Sequence, residues 1–469
     1  MNTQALLHTL TAELGAGQVI LREDLGTRRY TDWSGTGGLA PLAVLRPRDT
    51  GEVSRAMAIC HAARMPVVVQ GGLTGLAGGA NVRGDAVVLS LERMQRIEEI
   101  DAVSGTVTVQ AGAILQNVQE AAAGVGLMFP HDLGARGSCT IGGNLATNAG
   151  GNRVIKYGMM REQVLGLEAV LADGAVICDM HKMIKNNSGY SLQQLLVGSE
   201  GTLAVITRAV LRLRQRPAVV ETAWCGLPDY AAVTRLLSYA QARLSAGVSA
   251  FEVMWPGYYD FVMRHIKTVR PPLPTRHAVY VLMESAGSDA QRHGAEFQSM
   301  LEAMLEEGVV ENAAIAQSQG DAQAFWAVRD APAEFPLLMP NMCAFDISFA
   351  IADIGQVVAE CEQLLSTRWP GSTILIYGHL GDGNLHVLAD VPGIDAPTAQ
   401  AVDALVYELT RKWHGSVSAE HGIGDKKTAY LGHTRDPGAL AAMHRIKAGL
   451  DPLNLMNPGK LFPDAASRP

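Results

Sequence analysis

The sequence predicts an α+β chain whose two halves have different rhythms. From 41 to about 216, short β runs alternate with helices and glycine-rich loops. Arg216-Pro217 breaks that pattern. From 218 to about 420, strands alternate with longer helices, which reads as an antiparallel sheet with helices on one side, a cap separate from the first half. With 469 residues, 48% of them hydrophobic and 18% charged, the chain is long enough for two or three domains and can bury a full core.

The elements follow in order. Met1 to Leu10 reads as an amphipathic helix, with neither a basic leader nor a long apolar run. A loop rich in glycine and threonine, Trp33 to Ala40, closes the first 40 residues. Val44–Arg46 is a strand, and Thr50–Ala63 a helix capped by Asp49 or Thr50 with Glu52 in its first turn. Val67–Val69, Val87–Ser90 and Thr106–Val109 are strands, and Ile114–Gly124 is a helix. Val164–Leu171 and Ala175–Ile177 flank Asp173-Gly174, a hairpin turn. In the cap, strands at 278–283, 344–349 and 373–377 are spaced by helices at 230–246, 288–307, 355–366 and 396–413. A last helix, 437–449, precedes Asn457-Pro-Gly-Lys460. The domains predicted are 1–40, 41–217, 218–421 and 422–469.

The net charge of −8 with no block of like charges argues against a nucleic-acid partner and a polybasic membrane anchor. No apolar run is long enough to span a bilayer. Six scattered cysteines with no C-x-x-C pair suit a reduced, cytoplasmic protein.

Two glycine-rich segments carry the first chemical signal. Gln70 to Gly79 holds five glycines in ten residues directly after a strand. Backbone N–H groups without side chains in the way can turn inward as an anion nest, for which a pyrophosphate is the natural occupant. Pro130 to Asn152 is dense in glycine, small hydroxyls and asparagine, and can wrap a flat polar cofactor. Gly35-Thr-Gly-Gly-Leu-Ala40 is the nearest match to a dinucleotide fingerprint, but neither a strand before it nor a helix after it supports one.

The second signal is Tyr377-Gly-His-Leu-Gly-Asp-Gly-Asn-Leu-His386, followed by Glu420-His421. Thr373–Tyr377 and Leu385–Leu388 read as a hairpin about Gly381–Asn384, placing Leu380 opposite Leu385 and His379 opposite His386. Opposed side chains share a face, about 5 Å apart at Cβ. Two imidazoles there can hold one metal ion, with Glu420 as a carboxylate ligand and His421 left as a base. Two structural histidines beside a glycine turn are the plainer alternative.

These segments resemble the flavoenzymes with the p-cresol methylhydroxylase and vanillyl-alcohol oxidase type of FAD-binding domain, and among them the D-lactate and D-2-hydroxyglutarate dehydrogenases. Seven blocks carry the resemblance, in the family's order: Gly71–Gly75, Asp132–Ser138, Ile141–Asn148, Gly198–Thr202, Gly378–His386, Ala419–Gly422 and Asn457–Lys460. It implies a two-part FAD-binding domain completed by the C-terminal tail, beneath an antiparallel-sheet-plus-helices cap. The residues matched to noncovalent FAD are Gly71, Gly72, Leu73, Thr74, Gly75 and Leu76; Pro130, Asp132, Leu133, Gly137 and Ser138; Ile141, Gly142, Gly143, Asn144, Ala146, Thr147 and Gly150; and Glu200, Gly201, Ile206 and Asn457. It further implies a divalent metal, usually zinc (Zn2+), on His379, His386 and Glu420, His421 as the base, and Arg329 gripping the substrate carboxylate.

The activity implied is oxidation of a D-2-hydroxy acid to the 2-oxo acid, with hydride passing to the flavin. A metal on the hydroxyl lowers its pKa, a neutral imidazole takes the proton, and a guanidinium orients the carboxylate. Electrons would leave to an acceptor such as an electron-transfer flavoprotein or a quinone; a homodimer is compatible with the family, and the sequence leaves the oligomer open. This chain departs from the hydroxyglutarate enzymes at three polar pocket positions, which here resemble Ala333, Ala344 and Leu388, so its pocket is more apolar than one built for a second carboxylate. Two rivals are a metal-dependent hydrolase using the same histidines, which has no use for the glycine-rich segments, and a non-catalytic flavin-binding subunit, which has no use for Glu420-His421.

Overall fold

The computed structural model describes residues 2–463; the end of the predicted C-terminal segment, 464–469, lies outside the described residues. The chain divides into two compact units, one of Met1–Gly151, Gly158–Gln215 and Glu420–Pro469, the other of Asn152–Tyr157 and Arg216–Ala419.

In the first unit, helix α1 (Thr3–Leu14) buries Leu6, Leu10 and Leu14 along one stripe. Strands β1 (Val19–Leu21), β2 (Ala43–Leu45), β3 (Val67–Gln70) and β4 (Val87–Ser90) form a sheet ordered β1-β2-β4-β3. β2, β4 and β3 run parallel, because helix α2 (Thr50–Ala63) carries the chain across between β2 and β3. Asp49 starts that helix by accepting from the Glu52 amide at 2.9 Å. A second, antiparallel sheet holds β5 (Ile97–Asp101), β6 (Thr106–Gln110), β7 (Val164–Val170), β8 (Val176–Asp179) and β9 (Val205–Arg212), in the order β5-β6-β9-β7-β8. Helices α3 (Leu115–Gly124) and α4 (Ile141–Thr147) lie between β6 and β7 in the chain.

The C-terminal tail is built into this unit. The Val67 amide donates to the Leu455 carbonyl at 2.8 Å and the Asn457 amide to the Val67 carbonyl at 2.9 Å, so the tail extends the edge of β3. Lys447, on the helix Pro437–Leu450, donates to the carbonyls of Thr202 and Met456.

The second unit is one antiparallel sheet with covering helices. In chain order it holds β10 (Val219–Leu227), α5 (Tyr230–Arg243), β11 (Val248–Met254), α6 (Pro256–His265), β12 (Val279–Gly287), α7 (Ala290–Glu306), β13 (Asn312–Ile315), α8 (Gln319–Arg329), β14 (Met342–Ser348), α9 (Ile354–Arg368), β15 (Thr373–His379), β16 (Asn384–Asp390) and α10 (Ala396–Lys412). The strand order is β13-β10-β12-β11-β15-β16-β14.

Helices cover both faces of this sheet, not one as the sequence suggested. Phe345 packs against Tyr407 of α10 on one side. On the other, Tyr258 of α6 packs on Tyr377 with ring centroids 4.7 Å apart. The reason is the composition of the central strands. β12 is buried along its whole length, so both of its faces need an apolar cover.

Candidate active site and cofactor cradle

In the first unit, the loop after β3 meets the loop that enters α4. A side-chain carbon built on Gly72 would overlap the Ser138 carbonyl, and one on Gly71 would overlap the Thr140 hydroxyl. The backbones of Gly71–Gly72 and Ser138–Thr140 are therefore in van der Waals contact, which no larger residue would allow. Thr140 also caps α4, accepting from the Gly143 amide at 3.3 Å. Leu73 sits in the left-handed region at φ 56, as do Glu200 at φ 50 and Asn457 at φ 42. Left-handed non-glycine residues gather where a binding backbone is held against its preference. Among the described residues, the amides of Gly71 through Gly75 donate to nothing. A run of backbone N–H groups with no intramolecular acceptor, on glycines packed too closely for any side chain, is what a pyrophosphate requires, so the residues fit FAD.

The other nominated residues of this unit lie on several elements. Asn457 locks it from behind: its Oδ1 accepts from the Val69 amide at 2.9 Å, and its Nδ2 donates to the carbonyls of Gly79 and Glu200. Gly201 packs on the Asn457 side chain. Ile141, Gly142, Gly143, Asn144, Ala146 and Thr147 all lie on α4. Ile206 is buried on β9, and Pro130, Asp132 and Leu133 precede α4. Leu76, 40% exposed, and Gly137, beside Gln116, sit at the margin.

Glu420 and His421 open the returning segment of this unit, and both are half-buried. Gly150 stands against Glu420: a side-chain carbon there would come 2.5 Å from Oε1. Glu200 holds the turn just after His421, accepting from the amides of Ile423 and Gly424 at 2.7 Å each. Burial raises the Glu200 carboxyl above its usual range, against the pull of those amides and of Lys427 and Lys460.

In the second unit, the hairpin register differs from the sequence expectation. His386 pairs with Tyr377, two residues from the predicted partner His379. Leu380–Asp382 forms a 3-10 turn and Gly383 takes φ 81, so the four-residue connection runs over 380–383, one residue earlier than the predicted Gly381–Asn384. A shift of two residues preserves the face. His379 and His386 still meet, with ring centroids 5.4 Å apart and planes at 83°.

The same face holds a buried carboxylate that the sequence reading missed. Glu252, on β11 opposite His379, is fully buried. Its Oε1 lies 2.7 Å from His379 Nδ1, and its Oε2 accepts from Arg329 Nε at 2.6 Å. Burial alone would raise the Glu252 carboxyl, but His379 and Arg329 hold it below its ordinary value. Burial works against the charge of Arg329, and the carboxylate of Glu252 more than restores it. Arg329, 6% exposed at the end of α8, lies over the Tyr377 ring at 4.8 Å, and the Tyr258 hydroxyl fixes its carbonyl at 2.8 Å. One signal was available: a single charge inside the apolar run Val248-Ser-Ala-Phe-Glu-Val-Met254.

Asp346, opposite His386 on β14, accepts from Asn384 Nδ2 at 2.8 Å and from the Ser418 hydroxyl at 3.2 Å. The Ala419 amide points to its backbone carbonyl. Ser418 and Ala419 are thus pinned to the histidine-bearing sheet. Beyond the histidines the face turns apolar: Leu388 pairs with Ala344 and lies 5% exposed in a cluster with Tyr258, Phe335 and Leu375. Ala333 stands four residues after Arg329 in the short turn Ala331–Glu334.

Comparison with known proteins decides the family. Residues 216–461 match the model of the C-terminal domain of FAD linked oxidases, and residues 41–178 match an FAD binding domain. The chain belongs to the FAD-linked oxidases. It is 37% identical over 454 residues to a protein of Oryza sativa subsp. indica named probable D-2-hydroxyglutarate dehydrogenase, mitochondrial, covering 96% of this chain and 80% of the relative. It is 38% identical over 440 residues to the D-2-hydroxyglutarate dehydrogenase of Xanthomonas citri pv. viticola, covering 92% and 91%. A putative mitochondrial D-lactate dehydrogenase of Schizosaccharomyces pombe is 33% identical over 425 residues, covering 89% and 81%. Among solved structures, p-cresol methylhydroxylase with substrate bound shares the fold, with a TM-score of 0.76 at 16% identity over 99% of this chain and 98% of that one. This FAD-linked oxidase is therefore an FAD-dependent oxidoreductase, which removes the hydrolase alternative. Among the described residues, no helix of the oxidase is long and apolar enough to cross a membrane.

Proposed function

We propose that this oxidase converts a D-2-hydroxy acid to the 2-oxo acid, using noncovalent FAD and one divalent metal ion. The observation that carries it is the face of the second unit on which His379 and Arg329 share one buried carboxylate and His386 meets the His379 ring. When bound, FAD supplies a two-electron acceptor and the metal, Zn2+ by family resemblance, supplies positive charge that acidifies the substrate hydroxyl. Gly71 to Gly75 hold the FAD diphosphate. By the family resemblance, His379, His386 and Glu420 hold the metal. Arg329 binds the substrate carboxylate, its charge already secured by burial against Glu252. His421 accepts the hydroxyl proton. Leu388 and Ala344 line the side-chain pocket, so D-lactate or an apolar D-2-hydroxy acid rivals D-2-hydroxyglutarate as substrate. Electrons then leave to an acceptor such as an electron-transfer flavoprotein or a quinone.

The test is anaerobic. The purified chain should be yellow, should release its colour on acid precipitation, and should bleach on addition of a D-2-hydroxy acid from a panel of lactate, hydroxyglutarate and longer apolar acids. A yellow protein that no 2-hydroxy acid bleaches would refute the proposal. Exhaustive chelation should abolish bleaching while leaving FAD bound; full activity without metal removes the metal from the mechanism.

A further inference from the structure

We propose that Glu252 is a positioning residue that sets both the metal-binding ring of His379 and the substrate-binding fork of Arg329 from a single carboxylate. This rests on the metal and substrate roles proposed above and adds a residue that neither touches substrate nor binds metal.

The geometry assigns one oxygen to each partner. Oε1 lies 2.7 Å from His379 Nδ1, and Oε2 lies 2.6 Å from Arg329 Nε. A carboxylate can only accept, so the proton of a neutral His379 is held at Nδ1 and the lone pair is left at Nε2, the atom that would face a cation. The second oxygen fixes Arg329 at Nε, so the terminal nitrogens of the fork are not spent on Glu252, and Nη2 is turned toward His379. Tyr377 beneath the guanidinium sets its plane. Arg329 Nη2 lies 3.3 Å from His379 Nε2. The cation-binding atom and the carboxylate-binding group thus share one corner, as the adjacent hydroxyl and carboxylate of a 2-hydroxy acid require.

A plain charge-neutralising role predicts something different. It would need only the Arg329 contact, and the bond to His379 would be incidental. Glutamine distinguishes the two, because it keeps the size of glutamate but has one acceptor oxygen and one donor NH2. In Glu252→Gln, one of the two donors must face another donor. Either His379 changes tautomer, moving its proton onto Nε2, or Arg329 loses its hold.

The experiment uses the full-length, FAD-loaded chain. Zn2+ affinity is measured by competition with a chromophoric chelator, and KM and kcat are measured by flavin bleaching with a D-2-hydroxy acid. Glu252→Gln is expected to keep its flavin, bind Zn2+ about 10–100-fold more weakly, and raise KM. Wild-type Zn2+ affinity together with wild-type KM in that variant overturns the proposal. A wild-type protein that binds no Zn2+ in the same titration overturns instead the metal role on which it rests. If Glu252→Gln loses its flavin or fails to fold, the wild type decides. With 15N-labelled histidine, assigned through His379→Gln, the proton of His379 should be on Nδ1. A proton on Nε2 overturns the proposal.

Discussion

Replacing Asn457 by alanine should cut the stability of the flavin-bearing unit by about 3–5 kcal/mol. The side chain makes three hydrogen bonds, accepting from Val69 N and donating to the carbonyls of Gly79 and Glu200. Asn457 is 3% exposed, so the stranded groups have little water to turn to. Each buried group left unpaired costs about 1–3 kcal/mol, though the three are neighbours and do not add in full. Alanine at φ 42 adds about 1 kcal/mol of backbone strain that asparagine tolerates better. Asn457→Gly removes the same hydrogen bonds without that strain, so it should be about 1 kcal/mol less damaging than alanine. Urea unfolding of the FAD-loaded chain, followed by the release of flavin fluorescence, reads the unit that holds the cofactor. The loop of Gly71 to Gly75 follows the strand that Asn457 anchors, so FAD affinity should fall with stability in both variants. A cost below about 1 kcal/mol for alanine, or equal effects of alanine and glycine, would show that the tail does not secure this strand in the way described.

Further expectations concern the chemistry and pH. His421→Ala should keep FAD and metal but reduce the flavin about 10²–10⁴-fold more slowly, the usual loss for a general base; near-normal bleaching would move the base elsewhere. Leu388→Asn should raise the kcat/KM ratio of D-2-hydroxyglutarate over D-lactate about tenfold; an unchanged ratio would mean that the side-chain pocket lies elsewhere. His131 is 4% exposed, and its burial depresses its pKa to about 4. Its folded pKa lies below the unfolded value, so the unfolded chain binds the extra proton first, and stability present above pH 6.5 is lost as pH falls toward 4. The shift corresponds to about 3 kcal/mol, and His131→Leu should make unfolding correspondingly less acid-sensitive over that window. A parallel pH dependence in the two proteins would remove His131 from the account.

Local physics made much of this chain legible. Apolar runs of four to nine residues, the Asp173-Gly174 turn and the Asp49 cap are short-range features, and the corresponding strands and helices form close to where they were read. The glycine-rich loops announced a backbone-lined cradle because only glycine admits the contact between Gly72 and Ser138. Helix α4 was not legible: Ile141-Gly-Gly-Asn has poor intrinsic helix propensity, and the helix depends on its Thr140 cap and on burial of Ile141 and Leu145.

Tertiary structure alone decided three things. The register of the β15–β16 hairpin moved by two residues because the four-residue connection lies one residue earlier, at 380–383, while the strict period of two kept both histidines on one face. The second cover of the cap sheet came from apolar strands that needed shelter on both sides. Glu252 acquired its partners only through folding, 77 residues away at Arg329 and 127 residues away at His379. A sequence shows which residues are charged and which faces are apolar. It carries no record of which distant donors will be brought to a buried carboxylate, because that depends on strand order, set by the packing of the whole sheet.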